Sequence, residues 1–281
     1  MHNATAVYCA SVSTSDQAIQ TAARKAAEHD THLSVLLHSE YPTMPIGAHG
    51  ALPFAGAPVP DGWSTTLSAA QGKLKDRIDA VENVCAAEKA SAEVIPFFAS
   101  EADIKRGIAH VARTSDIVFF DPDLRAQSSV FHEMLHAVLF QSPAAAMVNG
   151  TLDMPHDTVL VAWDDSLAGA RAAHVALPYL KKASSVHIVG FDAPATDTGA
   201  QIEPGREAAT WLSHHGCTVT LTQLPSGGRE IATCILEHAR EIGADLVVAG
   251  AYGHSRLRQA VFGGTSRALI EQTEVPVLMA H

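Results

Sequence analysis

The stretch ADLVVAGAYGHSRLRQAVFGG, from Ala244 to Gly264, sets the pattern from which the fold of this chain is deduced. Residues 244–250 form a short apolar run, as expected of a parallel strand that is covered on both faces. The residues that follow are rich in glycine and basic side chains, and they lead into TSRALIEQ, which has helical spacing. The stretch therefore predicts a strand, a glycine-rich loop and a helix.

The rest of the second half repeats the alternation of strand and helix. Predicted strands lie at 157–163, 184–190, 217–223, 244–250 and 275–281, and predicted helices lie at 166–182, 203–215, 228–243 and from the glycine loop to Thr273. Alternation of this kind gives a parallel sheet with helices on both faces.

The first half follows the same order. Predicted strands lie at 5–11, 31–38, 91–98, 115–121 and 143–149, and predicted helices lie at 15–29, 64–89, 101–113 and 129–140. TSDIVFFDPD in this half corresponds to GADLVVAGAY in the second, which indicates an internal repeat of about 140 residues. We therefore predict an α/β fold of two tandem, open, parallel five-stranded sheets with helices on both faces, with domains at 1–150 and 151–281.

Composition narrows the class of protein. The 281 residues are 47% hydrophobic and 17% charged, as in a globular protein with a sizeable core. A net charge of -11 argues against nucleic acid or an anionic membrane as a general partner. No apolar run approaches the roughly 18 residues of a membrane-spanning helix. The N-terminus lacks the features of a secretory signal, so we expect a cytoplasmic location.

The cysteines form no C-x-x-C pair and are predicted to be buried, reduced thiols: Cys9, Cys85, Cys217 and Cys234.

One segment interrupts the repeat. Residues 40–63 are rich in Pro, Gly and Ala and are too long for an ordinary connection between a strand and its helix. The segment is predicted to be a lid, a docking arm for another subunit, or a loop without either role.

The glycine loop after residue 250 has the chemistry of a phosphate site. Gly250 and Gly253 permit positive φ angles and close backbone approach, so several N–H groups can converge on one point. The next helix opens at Gly263, and its free N–H groups and positive dipole end favour an anion. Donors and positive charge are added by His254, Arg256 and Arg258. A phosphate chain is therefore the expected ligand.

The spacing of Gly250, Gly253 and Gly263 resembles the nucleotide-binding pattern of the universal stress protein family. The resemblance covers the second half, from Asp157 to His281, where LVAWDDS is similar to the family's first strand and VPVLMAH to its last. It implies a five-stranded parallel α/β sheet that binds ATP or a related adenine nucleotide, ADP or AMP.

The resemblance also implies roles for individual residues. Asp164 would lie near the adenine and ribose, and Val189 would flank the base. Gly250 and Gly253 would meet the ribose and phosphates. The phosphates would be held by backbone N–H groups from Gly263 onward, including Gly264, Thr265 and Ser266. His254 and Arg256 complete the predicted nucleotide-binding set.

Position 264 departs from the family pattern, which has Ser or Thr directly after the last motif glycine. Gly264 stands there, and the hydroxyl groups come at Thr265 and Ser266. The backbone contacts to phosphate should survive this shift. The hydroxyl contact, and any Mg²⁺ that it helps to hold, depends on where those two side chains lie.

The first half resembles the family only in the order of its elements. Its corresponding loop, DPDLRAQSSVFHEML, has no glycine, and Asp121 and Asp123 stand where phosphate would approach. We therefore predict that the first unit is a degenerate copy without this site. In the family, paired units meet along their last strands, which implies an intrachain pseudo-dimer joined through PAAAMVN and VPVLMAH. A homodimer of the whole chain is also compatible with the sequence.

A second motif lies in the first half. HEMLH, residues 132–136, matches the H-E-x-x-H signature of zinc proteases, with His132 and His136 on one helix face and Glu133 beside them. The chain carries 16 His, so a chance match is plausible, and the usual downstream histidine is absent. The motif is more simply a partly exposed helix rich in His.

The sequence thus predicts a tandem universal stress protein whose second half binds an adenine nucleotide. No Walker-type Lys-Ser/Thr pair or evident general base is present, so we expect slow ATP hydrolysis at most. Two alternatives stay open. One is a metal-dependent hydrolase that uses HEMLH, and the other is a structural interaction module that binds no nucleotide.

Overall fold

The computed structural model describes residues 4–42, 62–99, 101–152, 156–192, 203–252 and 264–281. Most of the predicted insertion, residues 43–61, lies outside the described residues, so its three alternatives stay predictions.

The first half alternates strands and helices as predicted. Its elements are β1 (Ala4–Ser11), α1 (Asp16–Glu28), β2 (Thr31–Glu40), α2 (Trp63–Ala87), β3 (Ala92–Ala99), α3 (Glu101–Ala112), β4 (Ile117–Phe120), α4 (Pro122–Ala126), α5 (Ser128–Gln141) and β5 (Ala145–Val148). The short helix α4 was not predicted. It forms because Pro122 stands at its start and the Asp121 carboxylate accepts a hydrogen bond from the N–H of Asp123 at 2.9 Å.

The second half has the same order. Its elements are β6 (Thr158–Ala162), α6 (Leu167–Leu180), β7 (Ser185–Phe191), α7 (Arg206–His214), β8 (Val219–Leu224), α8 (Ile231–Glu241), β9 (Leu246–Gly250), α9 (Gly264–Glu271) and β10 (Val277–Ala280). The predicted α/β class, with helices between mostly parallel strands, is confirmed.

Contacts divide the chain into two compact units that do not follow its halves. The first unit comprises Met1–Val111 with Phe120–Ala137, and the second comprises Ala112–Phe119 with Val138–His281. In the first, β2 lies between β1 and β3, and all three strands are parallel. The predicted domain boundary at residue 150 separates sequence repeats and stays a prediction.

The second unit takes β5 from the first half because β5 pairs with β10. This pairing is antiparallel, with Val148 opposite Val277. The order then continues through β9, β6, β7 and β8, and these strands are parallel. The central strands β6 and β9 are nearly wholly apolar and buried, as their sequences predict.

Two further predictions concern the whole chain. All four cysteines are buried, as expected. Among the described residues, no helix combines the length and apolarity needed to cross a membrane.

His38, near the carboxyl end of β2, is a buried titratable group in the first unit. Only 2% of its surface is exposed, and its Nδ1 has no hydrogen-bond partner among the described residues. Burial lowers the pKa of His38, although a backbone hydrogen bond with Phe97 and the charge of Glu40 oppose this effect. The folded chain therefore holds His38 neutral at a pH where the unfolded chain protonates it.

We predict that stability falls as the pH drops below about 6.5, the ordinary pKa of His. The unfolded state binds a proton there that folded His38 resists, at a cost of up to about 1.4 kcal/mol per pH unit. His38→Phe should reduce this slope, which urea denaturation between pH 7.5 and 5 measures. Val35→Ala, in the same buried strand, should lower stability without changing the slope. Equal slopes in His38→Phe and the wild type would contradict the prediction.

Candidate functional site

A cavity of about 430 Å³ opens in the second unit where β6, β7 and β9 end. Such a volume lies within the range of small-molecule sites. The cavity is at the carboxyl ends of parallel strands, where open α/β sheets bind ligands. Its described lining consists of Ala162, Trp163, Asp164, Val189, Phe191, Ile231, Ile235, Ala249, Gly250, Tyr252, Gly264, Thr265, Ser266 and Leu269.

Several predicted site residues meet around this cavity although they come from four separate segments of the chain. They are Asp164, Val189, Gly250, Gly264, Thr265 and Ser266. The others, Gly253, His254, Arg256 and Gly263, lie outside the described residues. That the set binds nucleotide stays a prediction.

Gly250 ends β9 against the first turn of α6. Its φ angle is not in the left-handed region, so the turn of the loop does not depend on it. A Cβ atom at Gly250 would lie 2.4 Å from the backbone N of Gly169 and 2.7 Å from the carbonyl carbon of Ala168. Gly250 is therefore needed for the close packing of a strand against a helix.

The left-handed residue at this corner is Tyr252, with a φ angle of 64°. Its N–H donates to the hydroxyl of Ser266 at 3.1 Å, which ties the end of β9 to the start of α9. Its ring lies 4.9 Å from that of Phe140, between centroids. Burial raises the pKa of the Tyr252 hydroxyl, so the phenol stays protonated at neutral pH.

The first turn of α9 forms one end of the cavity. Gly264 begins the helix, and Thr265 and Ser266 follow it. The N–H groups of this first turn have no preceding helical carbonyl to bond to. Ser266 is buried, and its oxygen accepts from Tyr252, so its own proton is left to donate. A hydroxyl donor is therefore present two residues beyond the position of the family pattern.

The other end of the cavity is apolar and aromatic. Val189 is fully buried near the end of β7, and Phe191 lies on the same face two residues later. Ile231 and Ile235 come from the first turns of α8. This end has the character of a pocket for a flat ring.

The loop that places α8 is fixed by Asp192 and Ser226. The Asp192 carboxylate accepts from the N–H of Ser226 at 2.8 Å. Hydrogen bonds from Ser226 lower the pKa of Asp192, so the carboxylate is ionised when it makes them. The loop delivers Ile231 to the cavity wall.

Asp164 stands at the exposed rim. One of its carboxylate oxygens accepts from the N–H of Ser166 at 3.0 Å, and the Ser166 hydroxyl in turn caps α6 by accepting from Gly169. The turn after β6 is thus held by its own side chains.

The corresponding crevice of the first unit is filled. Val12 N–H donates to the carbonyl of His38, and Trp163 N–H donates to that of Val189, so these pairs are equivalent. The repeat SDIVFFD and ADLVVAG then places Asp121 at the position of Gly250.

Asp121 is 2% exposed and closes this crevice from within. Its carboxylate accepts from the hydroxyls of Tyr8 at 2.6 Å and Thr14 at 3.1 Å. Burial and the hydrogen bond to Asp121 raise the pKa of Tyr8, so the phenol remains a donor. A fully bonded carboxylate occupies the place that the second unit leaves open.

The HEMLH segment lies on α5. Glu133 forms an ion pair with Lys105 at 2.6 Å, which occupies the carboxylate that a metalloprotease would use as general base. In the part of the chain that the structure describes, no group of three or more His, Cys, Asp or Glu side chains is arranged to hold a metal ion. Nothing here favours the hydrolase alternative.

Comparison with known proteins gives a family match in the second half of the chain. Residues 155–281 match the model of the Universal stress protein family. The match begins two residues before Asp157, where the resemblance was predicted to start, and ends at the same residue.

The fold similarity extends over nearly the whole chain. A crystal structure of a universal stress protein from Archaeoglobus fulgidus DSM 4304 is similar with a TM-score of 0.64, at 17% identity, over 98% of this chain and 97% of that one. A functionally unknown protein from Pseudomonas aeruginosa PAO1 has a TM-score of 0.53, at 15% identity, over 99% and 92%. At these identities the likeness concerns the fold.

A sequence relative covers a short stretch. The stress response protein NhaX of Bacillus subtilis (strain 168) is 40% identical over 48 residues. These residues are 17% of this chain and 29% of NhaX, so the chain matches under a third of that protein's length.

The aromatic wall of the cavity was not predicted from the sequence. Trp163, Phe191 and Tyr252 all line the cavity. The positions of Trp163, beside Asp164, and of Phe191, two residues after Val189, were signals that could have found the first two. The left-handed turn that places Tyr252 has no sequence signal of its own.

We predict that Gly250→Ala destabilises the domain by about 1–3 kcal/mol because the added methyl group meets backbone atoms that cannot move aside. Gly264→Ala is the matched control, since a Cβ there meets nothing within 4 Å. Thermal and urea unfolding of both variants measures the difference. Equal stability of the two would show that α6 and β9 do not need this approach.

Proposed function

We propose that residues 155–281 form a universal stress protein domain that binds ATP or a related adenine nucleotide, and that the chain acts in a stress response by binding it, with slow or no hydrolysis. The observation that carries the proposal is the cavity itself. It joins an apolar, aromatic end to the first turn of a helix, at the carboxyl ends of three parallel strands. A nucleotide has the same division into a flat base and an anionic tail.

The residues fit the two parts of such a ligand. Val189, Phe191 and the isoleucines of α8 would receive the base. The N–H groups at the start of α9 and the hydroxyls of Thr265 and Ser266 would hold the phosphates, because helix N-termini favour anions. Mg²⁺, where present, would be carried mainly by the phosphates, since Asp164 is the one carboxylate in the described lining.

The described lining favours binding over turnover. It contains no His, Lys or Arg, and the Tyr252 phenol stays protonated. Asp164 is the one carboxylate in that lining. Rapid phosphoryl transfer needs a positioned base or water-orienting group together with cations on the transferred phosphoryl group.

We predict that ATP raises the thermal stability of the wild-type chain in a concentration-dependent manner. Ser266→Ala should weaken ATP binding roughly tenfold, because a hydrogen bond to a charged phosphate is lost. Ser213→Ala, on the exposed face of α7, is the matched control and should bind like the wild type. Calorimetric titration measures both. A wild-type chain that binds no adenine nucleotide at millimolar concentration would refute the proposal in favour of an interaction module.

We further predict one nucleotide per chain, because Asp121, Tyr8 and Thr14 fill the equivalent crevice of the first unit. The stoichiometry from the same calorimetric titration checks this. Asp121→Asn keeps the crevice filled and should leave the stoichiometry unchanged. Two equivalent sites per chain would show that the first unit opens.

A further inference from the structure

Phe140 is a large apolar side chain that stands at the surface. It lies in the last turn of α5, and 38% of its surface is exposed. Among the described residues, the other large apolar side chain that is exposed is Leu167. Single apolar side chains are common on protein surfaces, so exposure alone assigns Phe140 no role. The rings that surround Phe140 distinguish it from a surface residue of that kind.

Three aromatic rings meet at Phe140. Its ring centroid lies 4.9 Å from that of Tyr252 and 4.4 Å from that of His281. The rings of Tyr252 and His281 are 6.2 Å apart. Tilted or edge-on pairs of this kind are favourable beyond the area that they bury. All three residues belong to the second compact unit, although Phe140 comes from the first half of the sequence. The first half thus supplies a ring to the unit that contains the cavity.

Tyr252 is the member of this ring cluster that lines the cavity. Its φ angle of 64° is in the left-handed region, which is unfavourable for a residue that carries a side chain. A residue stays in such a conformation only where the surrounding structure holds it there. The conformation of Tyr252 therefore depends on its neighbours.

Two kinds of contact hold Tyr252. Its N–H donates to the hydroxyl of Ser266 at 3.1 Å, and its ring packs on Phe140 and His281. The N–H points at Ser266 only while the backbone of Tyr252 keeps its left-handed turn. The packing of the rings therefore supports the hydrogen bond that orients Ser266, which also lines the cavity.

His281 anchors the ring cluster to the main chain. Its Nδ1 lies 2.8 Å from the carbonyl oxygen of Ala251, which can only accept, so Nδ1 carries the proton. The N–H of Ala251 donates to the carbonyl of Ala280 at 2.8 Å, so the residue before Tyr252 is bonded on both sides. Phe140 therefore packs against rings whose positions are tied to the end of β9.

We propose that Phe140 is a positioning residue for the nucleotide site, because its ring holds Tyr252 in the left-handed conformation that orients Ser266 in the cavity. This inference rests on the nucleotide binding proposed above. It gives the first half of the chain a part in the function of the second, although the crevice of the first unit is filled. An aromatic pair corresponds to a roughly 2- to 12-fold change in an equilibrium constant. Loss of the Phe140 ring should weaken binding by a factor in that range.

The first test is a calorimetric titration of ATP into the wild type, Phe140→Ala and Phe140→Tyr. Phe140→Ala should bind ATP about 2- to 12-fold more weakly, and Phe140→Tyr, which keeps a ring, should bind as the wild type does. Phe98→Ala is the matched control, because Phe98 lies in the first unit with its ring centroid 5.1 Å from that of Tyr41. It removes a comparable contact between Phe and Tyr and should leave ATP binding unchanged.

Hydrogen exchange measured by NMR follows the conformation of Tyr252 without any ligand. The amide of Tyr252 exchanges when its bond to Ser266 opens, so Phe140→Ala should speed this exchange by about 2- to 12-fold. Phe98→Ala should leave the rate at this amide unchanged. Phe140→Leu keeps most of the apolar volume without the ring, and it should give a smaller increase where Phe140→Ala fails to fold.

A double-mutant cycle tests whether Phe140 acts through Tyr252. Glycine adopts a positive φ angle without steric cost, so the conformation at position 252 needs no ring contact in Tyr252→Gly. Phe140→Ala should therefore weaken ATP binding in the wild-type background but not in the Tyr252→Gly background. An equal loss in both backgrounds would mean that Phe140 acts by another route, which overturns the inference.

The outcomes separate the two proposals. A wild-type chain that binds no adenine nucleotide overturns both. ATP binding that is unchanged in Phe140→Ala, or equally weakened in Phe98→Ala, overturns the role of Phe140 and leaves the proposed function standing. A Tyr252 amide that exchanges at the wild-type rate in Phe140→Ala also overturns that role, whatever the affinity for ATP.

Discussion

The site depends on the contact between the backbones of α6 and β9 at Gly169 and Gly250. A Cβ on Gly250 would lie 2.9 Å from the Cα of Gly169, so neither chain can retreat without opening the packing of helix on strand. Because α6 directly follows β6, this contact also fixes the turn from Asp164 to Ser166 relative to the end of β9. The two walls of the cavity are thereby set by main-chain atoms, which are less adaptable than side chains.

The same fold leaves an open cavity in the second unit and a filled crevice in the first. Both continue the pairing of their first two strands by one hydrogen bond, from Val12 in one and from Trp163 in the other. At the next strand, one unit has Gly250 and leaves a cavity, while the other has Asp121 and fills the space with a carboxylate bonded to two hydroxyls. A buried charge of this kind is tolerable only when its hydrogen bonds are satisfied, as they are here.

The sequence predicted the features of the fold and the site that follow from regular residue patterns. Short apolar runs identified the strands, and six residues of the predicted site meet at one cavity because parallel strands bring their carboxyl ends together. What depends on tertiary contact was not predictable. The approach of Gly250 to Gly169 joins segments far apart in the chain, and α4 depends on one Asp that both caps the helix and fills a crevice. The H-E-x-x-H pattern was interpreted as a helix rich in His, and the sequence could not show that Glu133 pairs with Lys105, which lies on another helix.

The charges of the groups around the cavity distinguish a site that binds a ligand from a site that catalyses its hydrolysis. In its described lining, the donors suited to a phosphate chain are neutral: N–H groups at the start of α9 and the proton of the Ser266 hydroxyl. Neutral donors fixed by the fold stabilise an anion without moving a proton, and they act equally on the ligand before and after hydrolysis. Such uniform binding lowers the free energy of the complex but not the barrier to its reaction. If the domain binds a nucleotide as proposed, donors of this kind are suited to holding it rather than to turning it over.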